Sequence, residues 1–86
     1  MTDSDANNRL QAFAEEVAVL AAEVFQSEGA VTADSTAETV EEWDSLHHLN
    51  LVVALETRYG VMLDPLEAAE LTSIRGLADA VLERRS

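Results

Sequence analysis

Apolar residues in the first third of the chain recur in steps of three and four, at Leu10, Phe13, Ala14, Val17, Leu20, Ala21, Val24 and Phe25. That spacing lays them along one stripe of an α-helix, and Gly29 is placed to end it. Residues 1–8 show no apolar periodicity and carry several Asp, Ser and Asn, so they read as a flexible leader ahead of a domain spanning 9–86. From Gly29 to Trp43 the pattern dissolves into Ala, Thr, Ser and Glu. This predicts a long loop whose apolar members Val31, Val40 and Trp43 pin it to the core, with Trp43 as the main anchor.

A second helix is predicted from the Asp44-Ser45 step, where either side chain can cap free backbone N–H groups, to Tyr59, after which Gly60 offers a left-handed stop. Leu51 to Leu55 is apolar at every position, more than one helix face can hold. Part of this helix is therefore central or faces a partner. Asp64-Pro65-Leu66-Glu67 has the form of a capping box with proline in the first helical position, predicting a short third helix to about Leu71. Thr72 and Ser73 then cap a last helix in which Ile74, Leu77, Ala78, Val81 and Leu82 repeat the three-four spacing. Arg84 and Arg85 suit the negative end of its dipole. The fold class is all-α: three longer helices and one short one, folded as a small bundle.

Composition narrows the functions. With 86 residues, 48% of them hydrophobic, one Pro and three Gly, the chain is a single packed domain rather than a disordered acidic tail. Its net charge of −12 repels phosphate backbones and anionic lipid, which excludes nucleic-acid and membrane-surface roles, and attracts basic patches on proteins. The longest apolar run, Val17 to Ala22, is far below the ~20 residues that span a bilayer, and no charged-then-apolar leader is seen. A cytoplasmic monomer is the expectation. The absence of Cys removes disulfides, thiolate nucleophiles and thiolate metal ligands.

Asp44, Ser45, His47 and His48 invite a nucleophilic reading, since Asp44 and His48 lie four apart and Ser45 and His48 three apart on a helix. The G-x-S-x-G elbow and an oxyanion hole are missing, so no catalytic residue is assigned. Adjacent histidines point about 100° apart on a helix, and with no third His or Cys no metal site is assigned; they read as solvent-facing or capping side chains. The acidic stretch from Asp34 to Trp43 lacks the spacing of a calcium loop. What remains is Ser45 at the start of a mostly apolar helix. Free N–H groups and the dipole there favour a phosphate ester on its hydroxyl; the plain alternative is an ordinary capping serine.

The stretch from Val40 to Val61 resembles the acyl carrier proteins. The resemblance runs from about Leu10 to Leu82 and is carried by D-S-L at 44–46, L-x-x-x-L-E at 51–56, Y-G-V at 59–61 and E-x-x-x-L-T-S-I at 67–74. It implies a four-helix bundle of acyl-carrier type, with Ser45 bearing 4′-phosphopantetheine transferred from coenzyme A by a phosphopantetheinyl transferase, flanked by Asp44 and Leu46. Acyl groups would ride on the arm as thioesters while partner enzymes do the chemistry, the cofactor supplying the thiol this chain lacks. The resemblance further implies partner recognition by Glu41, Glu42, Leu46, His47, Glu56, Asp64 and Glu67 against basic patches of loading and synthase enzymes. Leu49, Val52, Leu63, Ala68 and Leu71 match positions that line the interior in carriers that shelter an acyl chain, or else are plain core. Trp43 before D-S-L is more similar to discrete carriers of polyketide or related specialised pathways than to fatty-acid or aminoacyl and peptidyl carriers. From another class, a helical interaction module that never bears the arm has the same pattern.

Overall fold

In a computed structural model, residues 2–27 and 31–85 are described, with side chains from Asn8 onward. Four helices follow one another: α1 Thr2–Phe25, α2 Ser45–Tyr59, α3 Pro65–Glu70 and α4 Ile74–Arg85. Among the described residues there is no strand, only an isolated bridge between Thr36 and Ser73, and no helix is long and apolar enough to cross a membrane.

α1 differs from its sequence reading at both ends. It begins at Thr2, so residues 2–8, which the periodicity sets apart as a leader, continue the helix backbone. Once a helix is nucleated each further residue adds a hydrogen bond, and this needs no apolar stripe. At the other end Gln26 takes the left-handed conformation (φ 52°). Its N–H donates to the Glu23 carbonyl, and that of Ser27 to the Ala22 carbonyl at 3.1 Å, which closes the helix with a Schellman pair. Gly29, the expected stop, lies outside the described residues.

The other boundaries follow the expected chemistry. Gly60 (φ 65°) ends α2, with Val61 N–H reaching back to the Glu56 carbonyl. Asp64 caps α3 by accepting from Leu66 and Glu67 N–H. Ser73 caps α4, its Oγ accepting from Gly76 N–H at 3.0 Å. Thr72, the alternative cap, instead gives its carbonyl to Ala37 N–H.

α1 packs mainly on α4 and α2, while the six-residue α3 lies against α2. Val17, Leu51, Leu55, Ile74, Leu77 and Val81 are completely enclosed at the centre. Each such side chain contributes roughly 1.5–3 kcal/mol by leaving water. The long loop after α1 is fastened to this core by buried Ala33, Val40 and Trp43. Backbone bonds from Ile74 N–H to the Ser35 carbonyl and from Ala37 N–H to that of Thr72 hold it beside the start of α4. Arg75 adds a side-chain tie, bonding Asp34 in the loop and Gln11 on α1. The entry to α2 is thereby held in place by the loop that precedes it.

Candidate functional site

The sequence around the start of α2 divides its polar work among neighbours. Asp44, in extended conformation, is the cap: its Oδ1 accepts from His47 N–H at 2.8 Å and from the His47 ring Nδ1–H at 2.9 Å. The His47 backbone N–H is the main reason its carboxyl titrates below the ordinary carboxylate value. Ser45 is therefore relieved of capping. It stands as the first helical residue, exposed, and among the described residues its hydroxyl has no hydrogen-bond partner. Leu46 beside it leaves 64% of its surface in water.

Trp43 and His48 close the inner side of this entrance. The indole is 5% exposed and packs on Phe25 with ring centroids 5.3 Å apart. Its Nε1–H donates to His48 Nδ1 at 3.0 Å, and His48 Nε2 lies 2.7 Å from the Ala68 carbonyl of α3. An indole N–H can only donate and a carbonyl only accept, so the ring is the neutral tautomer with its proton on Nε2. His48 is thus a bridge among loop, α2 and α3, which corrects its reading as a solvent-facing or capping residue. The Asp-Ser-His relay suggested by spacing is not assembled, because Asp44 is bonded to His47 and both His48 nitrogens are occupied elsewhere.

Between α2 and α3 lies a cavity of about 620 Å³ with Ser45 in its lining. Its wall is mostly apolar and includes Leu49, Val52, Leu63 and Ala68. Leu71 is not part of it; this half-buried residue packs against the hydrophobic core beyond the end of α3. Trp43, His48, Val53, Pro65 and Thr72 line it without having been expected to. Their membership follows from how the loop and α3 fold over α2, for which one-dimensional spacing carries no signal.

No family model and no curated protein sequence matches the chain. Among solved structures, the solution NMR structure of a holo acyl carrier protein from Geobacter metallireducens superposes with a TM-score of 0.70 at 29% sequence identity, covering 83% of each chain. In fold the chain is similar to this acyl carrier protein.

On this bundle of acyl-carrier type, the acidic residues expected to meet partners have unequal freedom. Glu41 is exposed on the loop leading to Ser45, whereas Glu42 accepts from Ser27 Oγ at 3.3 Å. Glu56 is half-buried and accepts from Leu63 N–H at 2.9 Å, so it braces the turn after α2. Asp64 is engaged as the cap of α3, and Glu67 lies 3.5 Å from Arg84 of α4. His47 is turned toward Asp44 and the Phe25 ring. Between these groups the outer face of α2 is apolar, with Leu46, Leu49 and Val53 each more than half exposed.

Proposed function

We propose that this chain carries acyl intermediates as thioesters on a 4′-phosphopantetheine arm joined to Ser45, performing no chemistry of its own, in polyketide or related specialised biosynthesis. The observation that supports it best is Ser45 itself: an exposed hydroxyl, free of the capping bond that a helix-start serine normally makes, at the lip of a 620 Å³ cavity. A phosphodiester there meets the free N–H groups and positive dipole end of a fifteen-residue helix. When bound, the arm supplies the thiol on which the acyl group is held. The protein presents it: Leu46 offers an apolar contact beside the attachment point, and Glu41 and Glu67 offer charge to a basic partner surface.

The residues present fit such an arm. Leu49, Val52, Leu63 and Ala68 supply an apolar wall next to Ser45, suited to the first part of an acyl chain. The apolar outer face of α2 and the indole before Ser45 favour a specialised partner over the fatty-acid synthase, with aminoacyl or peptidyl cargo as the third reading. Loading assays with acyl-, malonyl- and aminoacyl-transferring enzymes separate these.

The test is the intact mass of the purified chain after incubation with coenzyme A, Mg²⁺ and a broad-specificity phosphopantetheinyl transferase. We expect one phosphopantetheine on the wild type and none on Ser45→Ala. No addition to a folded wild type, with a control carrier modified in parallel, would leave a helical interaction module in its place.

A further inference from the structure

His48 joins three elements through two bonds that impose opposite demands on its ring. Trp43 Nε1–H needs a lone pair at Nδ1, and the Ala68 carbonyl needs a proton at Nε2. The neutral Nε2–H ring is the one protonation state that meets both. Its plane stacks on the indole at 20°, with centroids 6.0 Å apart. All three residues line the cavity beside Ser45.

We propose that His48 is a protonation-operated latch on Trp43, holding the indole in the cavity wall while the ring is neutral and releasing it when the ring gains its second proton. A proton arriving at Nδ1 would set one N–H against another. The Ala68 bond survives this, since Nε2–H still donates, so the ring stays tethered to α3 and the strain falls on Trp43. The indole is almost completely buried and its N–H has no other acceptor among the described residues. A buried donor left without a partner is costly, which drives the indole outward and widens the cavity on the Ser45 side.

The other ionisable groups around the His48 ring are exposed or bonded to partners of their own. Asp44, the cap of α2, and Glu56 on that helix line the same cavity, the first bonded to His47 and the second to Leu63 N–H. α3 turns a backbone carbonyl to the ring, while its carboxylates Glu67 and Glu70 are exposed. On the loop, Glu41 is exposed and Glu42 is bonded to Ser27. α1 contributes Phe25, which has no charge. His47, the other imidazole, packs on Phe25 and is the control. That the latch gates cargo rests on the carrier reading; the latch itself does not, and it is measured on the unmodified chain.

Trp43 is the single tryptophan, so the protein carries its own reporter. From about pH 8 to about pH 5.5, within the range where histidines titrate, we expect the emission maximum to move to the red. The protection factor of the indole N–H in NMR hydrogen exchange should fall about five- to tenfold, as expected for loss of one such bond. His48→Phe should abolish the pH dependence, and His47→Gln should retain it. Far-UV circular dichroism establishes that each variant is folded, and should His48→Phe fail to fold, the Nδ1 and Nε2 shifts of His48 in the wild type are followed against the indole signal instead. A transition that persists in His48→Phe, an indole shift out of step with the His48 ring, or quenching without red shift or loss of protection overturns the latch.

Discussion

The two residues at the D-S step have separate tasks. Asp44 accepts the bonds that begin α2, and Ser45 accepts none of that duty. Because Asp44 has its folded pKa held below the ordinary carboxylate value, its contribution is present above that ordinary value and is lost as pH falls through the depressed one. Thermal melts should therefore show Ser45→Ala tracking the wild type at every pH. Asp44→Ala should melt lower at neutral pH, with the gap closing on acidification. Spacing alone left Asp44 and Ser45 as equal candidates for the cap; the extended backbone at Asp44 decides between them, since a capping residue must lie outside the helical conformation.

α2 shows how one element serves inside and outside at once. Its run Leu51 to Leu55 divides around the helix, with Leu51, Val52 and Leu55 buried and Val53 half in water. Leu46 and Leu49 also lie outward, 64% and 59% exposed. The far end of the helix is fixed to α1 by Tyr59, whose hydroxyl donates to Glu16 at 3.0 Å and whose ring meets Phe13 edge-on at 4.9 Å. Burial, then that bond to Glu16, raises the pKa of the phenol above its ordinary value. Since α2 is anchored elsewhere, Leu46→Asp should leave helicity and melting temperature almost unchanged while slowing modification by the transferase several-fold. An unchanged rate, measured by mass spectrometry over time, would remove Leu46 from the partner surface. That α2 has more apolar surface than one face can bury was legible from the five-residue run. Which positions face out was not, because that depends on where α1, α3 and α4 cover it.

At the scale of the molecule, a small bundle depends on few enclosed side chains. Domains have roughly 5–15 kcal/mol of net stability, and truncation of a buried leucine typically costs about 2–5 kcal/mol. Leu55 is completely enclosed by the core. Leu55→Ala should accordingly remove a large share of the stability, seen as a clear drop in urea midpoint with little change in slope. Leu66→Ala, at a side chain 82% exposed, should shift the midpoint hardly at all.

Helix periodicity, breakers and capping residues are local, and each acts within one or two turns. They suffice to set the four elements, their order, the starts of α3 and α4 and the stop at Gly60. They also placed Ser45 at the head of α2. The stop of α1 is not legible in the sequence, because a left-handed backbone can be stabilised at a non-glycine by two closing bonds, as at Gln26. The cavity and its latch belong to tertiary structure alone. Trp43, His48 and Ala68 meet only once the loop and α3 have folded across α2, and one of the partners is a backbone carbonyl, which every residue has and no residue type announces.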